Sequence, residues 1–138
     1  MTVSATARTT GRLGYSETLP CEAESAETAR RLVRTAMAAW GLEHVVEDGA
    51  LVVTELVANA VNHTRGHSIR VIVARPSDHL VRVGVVDKSV ALPVLRRAED
   101  TEVGGRGLAL VDALTFRWGT DIKPWGKCVW GELKAESR

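Results

Sequence analysis

Glu55, Asn59 and Asn62 fall four and three residues apart in the run Glu55-Leu56-Val57-Ala58-Asn59-Ala60-Val61-Asn62-His63. At about 100° per residue they share one narrow face of a helix. Opposite them runs an apolar stripe of Val46, Ala50, Val53, Val57 and Ala60, and Leu51, Val52 and Leu56 cover much of the remaining circumference. A helix this apolar all round is normally buried. Burying a carboxylate and two amides without partners costs about 2–7 kcal/mol per group. Either protein hydrogen bonds satisfy that face, or it lines a site for a cation and a polar ligand.

Two further groups can contact a ligand. Gly104, Gly105 and Gly107, with Arg106 between, precede Leu108-Ala109-Leu110-Val111. Glycines before a helix let backbone approach a phosphate, and the helix start offers unpaired N–H groups. No Lys-Ser/Thr follows, so this is no Walker A loop, and the third glycine of a dinucleotide fingerprint is missing. A flexible loop end is the competing reading. Asp87, followed by Lys88-Ser89, closes an apolar run. A carboxylate at a strand end accepts from an exocyclic amine such as that of adenine, or simply initiates a turn. His63 and His67 have an i, i+4 spacing, but the flanking glutamate of a zinc-protease helix is absent and Gly66 interrupts the helix.

The elements that must hold these groups can be read from periodicity and punctuation. Residues 1–12 lack apolar anchors and read as a disordered tail before a domain spanning 13–138. Leu13 to Pro20 reads as a strand, and Ala26 to Trp40 as an amphipathic helix capped by Ser25 and stopped by Gly41. The long helix covers 46–64, and strands follow around Ile69-Val71-Val73 and over Leu80 to Val86, with a turn at Pro76 and Asp78. Residues 88–103 read as a long surface loop, Leu108 to Leu114 as a short helix, and Arg117 to Ile122 with Lys127 to Leu133 as a closing hairpin. Helices come early and strands pair as hairpins. The pattern is α+β, a two-layer sandwich whose mostly antiparallel sheet is covered on one face by helices.

Composition narrows the function classes. A chain of 138 residues, 45% hydrophobic and 25% charged, suits one soluble domain. A net charge of +1, with no basic stripe interleaved with aromatics, argues against nucleic acid. No apolar run reaches the ~20 residues of a membrane span, and no secretory leader is evident, so a cytoplasmic setting is expected. Cys21 and Cys128 read as reduced thiols, and the four tryptophans as packing residues.

Glu-x-x-x-Asn on a helix, Asp at a strand end and Gly-Gly-Arg-Gly before a helix, taken in that order, resemble the GHKL ATPase family of gyrase, histidine-kinase catalytic domains and mismatch-repair ATPases. Within it the chain looks most like the short anti-sigma-factor serine/threonine kinases of bacterial partner switching, over roughly residues 13–135. The resemblance implies a Bergerat-type sandwich that binds ATP and Mg²⁺. Asn59 would ligate the Mg²⁺, an amide oxygen being a suitable hard ligand. Glu55 would polarise the attacking hydroxyl or water. Asn62 and His63 belong to the same box. Asp87 with Ser89 would hold adenine, Gly104, Gly105, Arg106, Gly107 and Leu108 the phosphates, and residues 90–103 would form the lid. The implied partners are a sigma factor or other regulator and an anti-anti-sigma-type substrate, and the short members imply a homodimer. Two departures stand out: Ser89 occupies a usual glycine, and Cys128 is placed where a threonine supports the adenine-reading Asp. They motivate an alternative, a nucleotide-gated protein-binding regulator without turnover.

Overall fold

The computed structural model describes residues 4–7, 13–63, 68–88 and 103–135, with backbone alone at 4–7, 13 and 103–107. Valines spaced by two set its sheet. In β3 (Ser68–Ser77) and β4 (Leu80–Asp87), Val71 faces Val85 and Val73 faces Val83, and all four are buried. β6 (Gly126–Lys134) continues the layer on the other side of β4, with Val129 beside Val85 and Leu133 beside Val81. β5 (Arg117–Lys123) pairs with β6 at one edge, and β2 (Leu13–Pro20) lies along β3. The order is β1-β2-β3-β4-β6-β5, and every pairing is antiparallel.

β1 (Ser4–Ala7) corrects the expectation of a disordered tail, for these residues pair with β2 as an edge strand. Backbone hydrogen bonds along a neighbouring strand need no apolar side chain, so composition does not reveal them. The remaining strands fall where alternation places them. One shift is at the β3–β4 hairpin, where Asp78 and His79 make the turn and Pro76 sits inside β3 beside a register irregularity, a place that tolerates a missing N–H.

The helices lie on one face. α1 (Ser25–Ala39) buries Ala29, Leu32, Val33, Ala36 and Met37. Ser25 is its first residue rather than its cap, since the hydroxyl donates to Pro20 O at 2.6 Å. At the other end Gly41 takes φ +70°, the Gly41 N–H reaches Ala38 O (3.2 Å) and the Leu42 N–H reaches Met37 O (2.8 Å). That is a Schellman stop, which requires the left-handed residue glycine supplies. α2 (Val46–His63) packs against α1, β4 and α3 (Val103–Leu114). No helix among the described residues is long and apolar enough to cross a membrane.

Glu17 is an anomaly in this core. Its register partner is Val71, so it points to the helix side, 5% exposed, and both carboxylate oxygens are buried with no hydrogen-bond partner among the described residues. Burial pushes its carboxyl above the ordinary value of 4.5, against a smaller lowering by Arg31. A carboxyl raised in the folded state holds its proton more tightly there, so the folded protein loses stability as pH climbs past 4.5 through that raised value. Glu17→Gln is expected to raise the melting temperature at pH 7 by roughly 3–6 °C, the shift about 1 kcal/mol makes in a domain of this size, and to match the parent near pH 4. Melting curves across that range check it, and a variant that melts lower at pH 7 refutes it.

Candidate functional site

The polar face of α2 lies across the rim of its buried arc. Turning about 100° per residue, the arc through Val53, Val57, Ala60, Leu56 and Val52 ends at Asn59, which is buried at 4% exposure. Glu55, a step further round, is half-buried, and Asn62 beyond it is exposed. The three residues that share a face therefore divide, and Asn62 does not join the enclosed part. His63, half-buried, closes the helix. Burial pushes the Glu55 carboxyl above its ordinary value, which makes it a better proton acceptor near neutrality.

Asn59 Oδ1 is buried and has no hydrogen-bond partner among the described residues. An orphaned buried acceptor costs about 1–3 kcal/mol. Oxygen of this kind is what Mg²⁺ takes as a ligand, so Asn59 fits the metal that the sequence implies.

Asp87 ends β4 at the same end of the sheet. Cys21, just past β2, sets its Sγ 3.8 Å from Ala60 O in α2, and its thiol is pushed up by burial and then by the charge of Asp87. The turn that carries Asn59 thus sits over the sheet end that carries Asp87. Asp87 is 1% exposed, and Lys127, 0% exposed, donates from Nζ to Asp87 Oδ1 at 3.0 Å. Removing one member of such a buried pair costs about 3–5 kcal/mol.

Lys127 corrects the assignment of Cys128. Asp87 pairs in register with Lys127, and Val86 with Cys128. Neighbours along a strand point to opposite faces. Lys127, Val129 and Leu133 therefore face the helices, while Cys128 looks the other way, its Sγ against Gly84. Burial, with the nearby charge of Asp121, pushes the Cys128 thiol up to about 11. It is not at the Asp87 carboxylate and supports nothing there. On that far face Glu132, 0% exposed, is held by Arg82 (Nη2–Oε2 2.6 Å) and Arg117, with Arg82 4.4 Å over the Trp130 ring.

The glycine box also moves. α3 begins at Val103, so Gly104, Gly105, Arg106 and Gly107 form its first turns instead of preceding a helix at Leu108. Among the described residues, the N–H groups without helical partners are those of residues 103–105, so the positive end of the helix lies in the box itself. Leu108 is a buried core residue. Ser89 and residues 90–102 of the lid expected at 90–103 lie outside the described residues, as does His67, while Val103 opens α3.

Enclosed or half-enclosed together are the Asp87 carboxylate, the Asn59 amide and the Glu55 carboxylate of raised basicity, with α3 packed along the same helix. A family profile described as a histidine kinase-like ATPase domain matches residues 19–130. No curated protein matches the chain.

Proposed function

We propose, for a chain that belongs to the histidine kinase-like ATPase domain family, that it is an ATP-dependent serine/threonine protein kinase of the anti-sigma-factor type. It would bind a sigma factor or similar regulator, act in the bacterial cytoplasm as a homodimer, and phosphorylate a small antagonist protein. The family supports a nucleotide-binding, kinase-like regulator. The observation that carries the finer reading is the orphaned Asn59 Oδ1 one turn from Glu55, whose carboxyl burial has made more basic.

Phosphoryl transfer needs positioning and charge neutralisation more than covalent chemistry. Asp87 would accept from the adenine amino group. The N–H groups of residues 103–105 would donate to phosphate oxygens, helped by the positive end of the α3 dipole. Asn59 Oδ1 would ligate Mg²⁺, which when bound neutralises phosphate charge. Glu55 would accept the proton of the incoming serine hydroxyl. Its raised proton affinity suits that step, and activity would rise with pH as Glu55 ionises.

The test supplies Mg²⁺ and γ-labelled ATP to the purified protein with candidate antagonist proteins. Label on an antagonist serine is expected. Glu55→Gln is expected to slow transfer about 10²- to 10⁴-fold, the usual share of a general base, with ATP affinity kept. ATP binding without transfer to any antagonist refutes the kinase. If Glu55→Gln also controls its regulator normally, nucleotide gates the interaction without turnover.

A further inference from the structure

We infer that two copies of this chain meet along the free edge of β5, which pairs antiparallel with β5 of the second copy about a twofold axis at Gly119. The inference rests on the homodimer of the reading above and names its surface.

β5 closes the sheet, with β6 on one side and no described strand on the other. An edge strand leaves alternate N–H and C=O groups open to another chain, and proteins usually shorten, bulge or cover such a strand. β5 runs seven residues, Arg117–Lys123, without a proline. The opposite edge, β1, has four small residues, Ser4-Ala5-Thr6-Ala7. Among the described residues the exposed large apolar side chains are Leu51, Phe116, Ile122 and Trp125. The last three stand before, within and just after β5, each 55% exposed. Apolar exposure gathered along one edge marks a contact surface.

Charge selects the register. With Gly119 on the axis, Arg117 stands opposite Asp121 of the second copy, and Asp121 opposite its Arg117. Both residues are exposed on the face away from the helices, for they pair with Glu132 and Cys128. Arg117 uses only Nε to hold Glu132, so its Nη groups can take a carboxylate from another chain. On the helix face Trp118 stands opposite Thr120 of the second copy, with Ile122 of that copy on the diagonal. Aromatic and β-branched side chains in this arrangement stabilise a strand pair. The indole is already held in place, since Trp118 Nε1 donates to Asp112 Oδ1 at 3.0 Å. At the axis glycine meets glycine, and no side chain obstructs the approach of the two backbones. An axis at Thr120 instead sets Arg117 against Lys123, and like charges directly opposed destabilise.

A single strand pair buries less than the ~1,200 Å² of a standard interface, so association is expected to be reversible. Sedimentation equilibrium of the unaltered protein across the micromolar range reads it, and the mass is expected to rise from one chain toward two. Asp121→Lys reverses the attraction, and Ile122→Lys puts a charge on the apolar edge. Each is expected to raise the dissociation constant at least tenfold. Leu51→Lys, on the exposed side of α2, is the control and is expected to leave it unchanged. All three positions are exposed, so thermal melts near that of the parent are expected. Hydrogen exchange on the unaltered protein gives a reading that needs no variant: β5 amides are expected to slow as concentration rises, and β1 amides are not. A monomer throughout the range overturns the inference. So does a dimer that both β5 substitutions leave intact, one that Leu51→Lys weakens as much, or β5 exchange that ignores concentration. Titration of the same sample with Mg·ATP separates the two readings. A monomer that binds nucleotide removes the interface alone, and a β5 dimer that binds none keeps the interface and removes the nucleotide site.

Discussion

Asn59→Ala is expected to weaken Mg·ATP binding at least a hundredfold, about 2.7 kcal/mol, while the melting temperature stays level or rises. The two halves of this expectation come from one atom. Asn59 Oδ1 is buried, 4% of the residue is exposed, and no described residue donates to it. In the ligand-free protein the amide is a cost, since an orphaned buried polar group destabilises by about 1–3 kcal/mol. Alanine removes that cost, retains helix propensity in the middle of α2, and leaves only a small void at the rim of the core. A residue kept for the fold behaves in the opposite way, because its loss destabilises. The combination of lost binding and retained stability therefore assigns the amide to a ligand. Titration calorimetry with ATP, with and without Mg²⁺, and a thermal melt give both readings. The variant is expected to resemble the unaltered protein in the absence of Mg²⁺ and to gain little when the metal is added. An unfolded variant, or one that binds Mg·ATP like the parent, refutes the assignment.

Whether a residue was legible in the sequence depended on whether its role is local or requires a partner strand. α2 was readable because its apolar stripe repeats over 18 residues and its polar triad breaks the pattern at one angle. Asp87 was readable as a strand end, and Gly41 as a stop, since both are local events. The tertiary boundary that divides Asn59 from Asn62 was not, because two residues about 60° apart on a helix look alike until neighbouring elements are placed. Lys127 was missed for a related reason. A lysine near a hairpin is ordinarily solvated, and nothing local marks it as buried. Period-two counting backward from Leu133 through Gly131 and Val129 does reach Lys127 on the inner face, but its meeting with Asp87 depends on β4 and β6 being neighbours, a pairing that skips β5. The one-residue displacement from Lys127 to Cys128 then inverts the face, as any register slip does. The start of α3 was hidden differently. Glycine costs about 1 kcal/mol per residue in a helix, so three glycines in five residues read as loop, and packing against α2 decides otherwise.

Gly126→Ala is expected to lower the melting temperature by roughly 10 °C or more, about 3 kcal/mol in a domain of this size, and to weaken nucleotide binding at least tenfold. A Cβ at this position would stand 2.2 Å from Asp87 O, 2.7 Å from Lys88 Cα and 3.1 Å from Asp87 C. All three are backbone atoms, so no side chain can swing aside to relieve the contact. β6 must separate from β4 where the Asp87–Lys127 pair is formed, and overpacking of ordinary side chains already costs about 1–3 kcal/mol. Gly41→Ala is the control. It places a side chain at φ +70°, a backbone cost of about 1–2 kcal/mol, but its Cβ would meet nothing within 4 Å. It also follows Trp40, which packs on Tyr15 and Arg75 at the other end of the sheet from Asp87. Gly41→Ala should therefore melt lower and bind nucleotide normally, whereas Gly126→Ala should lose both. Parallel melts and titrations of the two variants separate general destabilisation from loss of the Asp87–Lys127 pair. If Gly126→Ala binds as tightly as Gly41→Ala at matched stability, the close approach of the two strands is not what holds Asp87 and Lys127 in place.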